Sequence, residues 1–204
     1  MENEIKKFSI EYLLHFTKIE NLSNIFLHGL LPRAALQNRR IEFQYNDDYR
    51  IDGYENAICV SIGFPNYKLF YSFRKRDENQ KWVILALHPN ILIDKDCAFC
   101  HTNAASNEVT SIPIEQRKGK GALRRLFDDI EGKPSRASLG IKSPTNPQAE
   151  VLVFDAIEPH YIGAVITETE EIENHLGQSF PKYKQFFCNN KNFFKPRSDY
   201  THWQ

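Results

Sequence analysis

Asn146-Pro147-Gln148-Ala149-Glu150-Val151-Leu152-Val153-Phe154 is the stretch on which the reading of this chain turns. Pro147 biases its neighbour toward extended backbone and closes a loop. The apolar, β-branched run that follows reads as a buried strand over 150–155. Glu150 is the only carboxylate in the stretch and stands at the mouth of that strand. Gln148 lies two residues earlier, so a pleated strand would direct both side chains to one face. A solvated strand start accounts for Glu150 on this segment alone; so does a site built on a rigid element.

Residues 12–33 supply a second polar cluster next to an apolar element. Tyr12 to Phe16 are apolar and aromatic apart from His15, and read as a strand over 12–16. Thr17 suits an N-cap, and Glu20 three residues on completes a capping box. Leu22, Ile25 and Phe26 then recur at helical spacing, Gly29 suits a C-cap, and Pro32 ends the element, giving a helix over 18–28. His15 and Thr17 thus fall at a strand-to-helix junction. Imidazole and hydroxyl groups there can grip a ribose, and a helix N-terminus favours a phosphate. A lone histidine in an apolar strand also fits a satisfied core residue.

The chain has 204 residues, enough for one domain with a sizeable core, and its formal net charge is zero. No global basic field recruits nucleic acid, so any such attraction must be local. The cysteines are Cys59, Cys97, Cys100 and Cys188. Cys97-x-x-Cys100 with His101 beside it suggests zinc or redox chemistry, but a second ligand pair at metal spacing is missing, and reduced thiols are expected. The charged start Met1-Glu2-Asn3-Glu4 is no signal peptide and no apolar run approaches a membrane span, which predicts a cytoplasmic protein. Further strands are expected at 57–63, 82–87 and 161–167, and further helices at 65–75 and near 121–129. The class is α+β in one domain, 1–204.

Residues 106–149 differ from the rest. Four glycines, four prolines and many charges interrupt them, and apolar periodicity is confined to Leu123–Ile130. A loop this long in a compact domain is functional or disordered. Its cations include Arg117, Lys118, Lys120, Arg124, Arg125, Lys133, Arg136 and Lys142, which either form a solvated face or track a phosphodiester backbone. The extension 180–204 interleaves aromatics with Lys182, Lys184, Lys191, Lys195 and Arg197. Such a pattern can clamp bases, but docking of the rings on the core is the simpler reading, with a terminal helix at 180–188.

The two opening segments together resemble the DarT family of nucleic-acid ADP-ribosyltransferases, the toxin half of toxin–antitoxin pairs. The matching pieces are His15-x-Thr17 with Asn21-Leu22, Ile25 and Gly29-Leu30; Thr102-Asn103-Ala104-Ala105; and Pro147-Gln148-Ala149-Glu150-Val151-Leu152-Val153. Asn46-Asp47-x-x-Arg50-x-Asp52-Gly53, followed by Phe64-Pro65-Asn66-Tyr67-Lys68, is similar to one branch of the family. The resemblance spans roughly residues 10–166. It implies an ADP-ribosyltransferase-like fold, a central split β-sheet flanked by helices. It further implies NAD consumed as substrate without a metal, single-stranded DNA as acceptor and an antitoxin as partner.

The resemblance also implies roles. Glu150 would be catalytic, with Arg50 beside the NAD diphosphate. His15 would hold the nicotinamide-side ribose, Thr17 and Asn21 the adenosine side, and Leu30 and Tyr67 would line the NAD pocket. His101, Gln148, Arg117, Lys118, Arg124 and Arg125 would face nucleic acid, with 106–149 as the substrate-binding loop. The chemistry agrees with these roles. Loss of nicotinamide gives an oxocarbenium-like transition state that a carboxylate stabilises, and a guanidinium suits a diphosphate. The chain lacks a Gly-x-Gly-x-x-Gly fingerprint, a phosphate loop and a nucleophile elbow. Transfer to RNA or protein, and a non-catalytic nucleic-acid-binding module, are the competing readings. Family members modify thymine or guanine, and the Arg50-x-Asp52-Gly53 and Pro65–Lys68 pieces depart from the thymine-branch pattern, so the base stays open.

Overall fold

Seven strands make one sheet in the computed structural model, which describes residues 1–45, 52–139 and 142–203. They are β1 Leu13–Lys18, β2 Ile58–Ile62, β3 Trp82–Leu87, β4 Cys97–Cys100, β5 Glu150–Val153, β6 Ile162–Thr167 and β7 Phe187–Asn189. Their order is β4-β5-β2-β1-β3-β6-β7, antiparallel except for the parallel β6–β7 pair. The sheet is split at its centre. β1 pairs with β3 along its whole length, from Leu13↔Leu87 to Lys18↔Trp82. With β2 it keeps only Leu13↔Ile62 and Leu14↔Ser61. From His15 onward the two central strands diverge, leaving two half-sheets joined at those pairs.

The period of two on β5 explains how one short strand serves both core and site. Val151 and Val153 enter the main core with Leu13, Val60, Leu85 and Val165. Leu152 points the other way, into a smaller cluster with Ala57, Ala98, Cys100 and Ala104. Glu150 has the same parity as Leu152, so the carboxylate emerges on that second face. A third cluster, Leu14, Phe70, Phe73, Trp82 and Ile84, packs the helix Tyr67–Arg76 onto the sheet beside the split. Gly29 ends the helix Leu22–His28 with φ 78°, and a Cβ there would lie 2.2 Å from the carbonyl oxygen of Ile157. Glycine permits that approach, and Leu30 and Ile157 then exchange backbone hydrogen bonds at 2.9 Å.

Several local expectations are corrected. The 18–28 helix starts later: Ile19–Asn21 is a 3₁₀ turn and the α-helix runs Leu22–His28. The Thr17–Glu20 capping box does not form, because Thr17 stays inside β1. Its Oγ1 accepts from Asn21 Nδ2 at 3.0 Å, and Glu20 accepts from Gln80 instead. The helix placed near 121–129 begins at Gly119 and ends at Arg125. The 180–188 helix is a 3₁₀ segment, Pro181–Phe186, followed by β7. Strand β4 occupies the Cys-x-x-Cys stretch, whose four residues are all buried. The C-terminal rings dock on the core: Tyr183 stacks on Phe26 with centroids 4.0 Å apart, and Phe194 meets Phe70. No described helix is long and apolar enough to cross a membrane.

Candidate active site

The split between β1 and β2 opens into a cavity of about 520 Å³. His15 and Phe16 line it from β1, Ile58 to Ser61 from β2, and Glu150 from the mouth of β5. Leu30, Leu31, Leu36, Phe43 and Tyr45 form an apolar side, Leu69, Phe73 and Arg76 come from the helix Tyr67–Arg76, and Asn103–Ala105 close the Glu150 end. Such a cavity is large enough for a ligand of cofactor size.

Glu150 is 6% exposed and anchored at both oxygens. Oε2 accepts the Ala104 backbone N–H at 2.8 Å, and Oε1 accepts from Asn66 Nδ2 at 3.3 Å. Burying a carboxylate is costly unless such donors replace water. Asn66 is itself fully buried and caps the helix Tyr67–Arg76: its Oδ1 accepts from Leu69 N, and its own N–H donates to Ser61 Oγ. Every orientation of the Asn66 amide is thereby decided, with the NH₂ aimed at Glu150. Asn103 Oδ1 accepts from Ala105 N at 2.9 Å, which holds the turn that presents Ala104. The carboxylate is thus fixed from two separate stretches of chain.

His15 bridges the split. Its Nδ1 lies 2.9 Å from the Cys59 carbonyl oxygen, which can only accept, so Nδ1 carries a proton. That bond sets the ring plane in the cavity wall. Among the described residues the cavity's charged lining is mixed: Asp52 and Glu150 against Arg33 and Arg76. Arg33 lies over the Tyr45 ring at 4.4 Å, and Arg76 over Phe73 at 5.0 Å, so both guanidinium planes rest on aromatic faces in or beside the wall.

Of the residues singled out from sequence, His15, Leu30 and Glu150 share this cavity. Arg50 lies outside the described residues. Thr17 is fully buried and engaged by Asn21, whose amide also exchanges two hydrogen bonds with the backbone of Gln44. Thr17 and Asn21 therefore hold the segment before residue 46 and do not line the main cavity. Tyr67 is buried behind it, its hydroxyl facing the Arg197–Asp199 pair, and burial raises its pKa. Gln148 sits in the turn before β5, not in the strand, so the same-face pairing with Glu150 does not arise; its N–H donates to Asn146 Oδ1. His101 is part-exposed, 3.8 Å from Glu108.

The cations of the basic loop contact the protein's own groups. Arg117 is 3% exposed: its guanidinium lies over the Tyr54 ring, donates to Tyr54 Oη at 2.8 Å, and contacts Cys100 Sγ at 3.8 Å. Arg124 forms a bidentate pair with Glu4, Lys118 pairs with Asp96 and Glu115, and Arg125 donates to the Gln116 carbonyl. Arg117 is withdrawn from solvent, whereas Arg124 and Arg125 stay exposed beside their partners. Cys97 and Cys100 are buried free thiols, pushed by desolvation up to about 12 and about 11. Among the described residues no group of three His, Cys, Asp or Glu side chains can hold a metal.

Sequence reasoning quoted Asn66 and Ala104 within its motifs without giving them a role, and passed over Arg33 and Arg76. Asn66 carried a usable signal, an N-cap asparagine at the start of a predicted helix. Ala104 acts through its backbone, which no side chain announces.

Comparison with solved structures shows the fold. Thermosipho africanus DarTG in complex with ADP-ribose aligns over 90% of this chain and 51% of its own, with TM-score 0.61 and 18% identity. This chain thus spans about half the length of that relative. Thermus sp. 2.9 DarT in complex with NAD+ aligns over 91% of this chain and 98% of its own, with TM-score 0.57 and 10% identity. The same Thermus protein in complex with ADP-ribosylated ssDNA aligns over 92% and 97%, with TM-score 0.55 and 13% identity. No protein of curated function matches the chain significantly. Residues 14–199 match the family described as ssDNA thymidine ADP-ribosyltransferase, DarT, and the chain belongs to that family.

Proposed function

We propose that this chain transfers ADP-ribose from NAD to a base of single-stranded DNA and acts as the toxin of a toxin–antitoxin pair. The observation that carries the reading is Glu150: a buried carboxylate held by two donors at one end of a cofactor-sized cavity. In the reaction the bond between the ribose anomeric carbon and nicotinamide breaks. Nicotinamide leaves with the electron pair, and the accepting base atom bonds to the same carbon. Glu150 stabilises the positive charge that grows on the ribose ring and accepts the proton that the base loses. His15 supports the ribose. Arg33 and Arg76, with Arg50, supply cations for the diphosphate. The Thermus relative was captured with NAD+ and with ADP-ribosylated ssDNA, which favours these ligands over a protein acceptor.

We further read 1–204 as one catalytic domain, with 106–149 approaching the nucleic acid. Because Arg117 is buried and Arg124 is paired with Glu4, His101, Gln148 and the exposed Lys120 and Arg125 are the groups of that region assigned to the strand. Extruding a base from a duplex costs a few kcal/mol, and a chain of zero net charge offers little to offset it. Labelled NAD is to be incubated with DNA and RNA oligonucleotides of each base composition, single-stranded and annealed. Single-stranded DNA, rich in one base, is expected to take the label, with thymine first by the family's description. Equal labelling of the annealed form, or label found on RNA or protein alone, refutes the acceptor assignment. Absence of nicotinamide release refutes the enzyme.

A further inference from the structure

Three successive carbonyls just ahead of Glu150 are each held by a guanidinium. Arg136 Nη1 donates to Ser143 O, while Arg197 donates from Nη1 to Pro144 O and from Nη2 to Thr145 O, both at 2.7 Å. Arg197 comes from the C-terminal segment and is 4% exposed. Its Nε and Nη2 also donate to the two oxygens of buried Asp199 at 2.6 Å, and Trp203 Nε1 donates to Asp199 Oδ2 at 2.9 Å. All three guanidinium nitrogens are used. The Thr145 N–H is bound too, to Leu126 O at 2.9 Å.

A buried ion pair is weak evidence for stability, because desolvation offsets its attraction. What this pair fixes is therefore the more informative question. It fixes the entry to β5. Beyond Thr145 the chain makes a tight turn in which Asn146 caps Gln148 and bonds Ala149, and Glu150 follows at once. On its other side Ser143 packs against Gly63, where a Cβ would meet Ser143 Oγ at 3.2 Å. Gly63 opens the turn that ends at Asn66, the donor to Glu150. The segment 143–145 is thus wedged between the C-terminal pair and the turn that cradles the carboxylate.

We propose that the Arg197–Asp199 pair is a positioning element for transfer: it pins the Pro144 and Thr145 carbonyls and thereby sets where Gln148 stands on the acceptor side, while Glu150 itself is held by Asn66 and Ala104. The role rests on the transferase reading above. It predicts a separation of activities. NAD binding and slow NAD hydrolysis depend on the β1–β2 cavity, whereas transfer also requires the acceptor base within bonding distance, and a misplacement of about 1 Å costs on the order of 10²-fold.

Two variants test it. Arg197→Leu/Asp199→Leu removes both buried charges together, so neither is stranded. Arg197→Lys keeps the charge but loses the planar fork that reaches two carbonyls and a carboxylate. In both, nicotinamide release without oligonucleotide should stay within about threefold of wild type, while transfer at saturating NAD falls roughly 10- to 100-fold and KM for the oligonucleotide rises. Amide exchange over 143–150 should quicken. Unchanged transfer in a folded double variant overturns the proposal. So does a parallel loss of hydrolysis and transfer, which marks the pair as structural only. A wild-type protein that releases no nicotinamide refutes the transferase reading itself, and that result appears before any variant is made.

Discussion

Glu150→Gln is the sharpest single perturbation, because the geometry around the carboxylate separates its structural and chemical costs. Glutamine matches glutamate in shape but offers one acceptor where glutamate offers two. If its carbonyl keeps the 2.8 Å bond to Ala104 N, its NH₂ faces the NH₂ of Asn66. Asn66 cannot rotate to relieve this, because its Oδ1 is committed to the Leu69 N–H at the helix start. One buried donor is left unpaired, a cost of about 1–3 kcal/mol, partly offset because the substitution no longer buries a charge. For a chain of this size that lowers Tm by roughly 2–4 °C per kcal/mol, and the fold survives at 25 °C.

The chemical cost is larger. Loss of one preorganised electrostatic partner costs about 10²–10³ in kcat, roughly 2.7–4 kcal/mol. Because the carboxylate acts on charge that develops only in the transition state, kcat should fall while KM for NAD changes little. The assay pairs nicotinamide release and oligonucleotide mass with thermal unfolding of the same preparation. A folded Glu150→Gln protein turning over within tenfold of wild type retains all but about 1.4 kcal/mol of the barrier reduction. That result would refute the role given to Glu150.

Two further predictions use groups away from the cavity. Arg124's hydrogen bond holds the Glu4 carboxyl below its ordinary value of 4.5, against the opposing effect of burial. A depressed folded pKa contributes stability that is present above the unfolded value and lost as pH falls through the folded one. Arg124→Gln should therefore lower Tm at pH 7 and leave it near wild type at the acid limit, and an equal Tm loss at pH 7 and pH 3 would remove the linkage. Cys97 and Cys100, pushed by burial up to about 12 and about 11, hold almost no thiolate at pH 8. Iodoacetamide should then label exposed Cys188 first in the native protein, and label Cys97 and Cys100 only on unfolding; rapid native labelling of either would contradict the packing of β4.

How much of this was legible beforehand depends on whether the cause is local. The strand 82–87 was readable to the residue, because Trp82–Leu87 is a continuous apolar run and nothing else satisfies it. The Leu22–His28 helix was readable from spacing, but its start was not. A buried Thr17 bonded to Asn21 is a tertiary outcome that the capping pattern mimics. Strand β4 was hidden behind a cysteine spacing that suggested metal chemistry. The basic loop shows the same limit with the opposite sign. Arg117 looks like a solvated cation and Arg124 like an unpaired one in sequence because their partners, Tyr54 and Glu4, are 63 and 120 residues away.

The site divides along the same line. Glu150 was visible because a lone acid at the mouth of an apolar run conflicts with its surroundings, and such conflicts mark functional positions. Its cradle was invisible, because Asn66 and the Ala104 N–H reach it across separations of 84 and 46 residues. The chain makes the meeting place by failing to complete a sheet. Had β1 and β2 paired beyond Leu14↔Ser61, the ladder would have closed over the cavity. His15 marks the point of divergence, and its bond from Nδ1 to the Cys59 carbonyl replaces the ladder that stops there. The residue read first as a possible core histidine is thus a structural bridge and a cavity wall at once. A substitution such as His15→Ala would loosen the split as well as remove a ligand contact, so its effect on turnover cannot be assigned to NAD contact unless His15→Asn, which can keep a donor to Cys59, restores the thermal stability and not the rate.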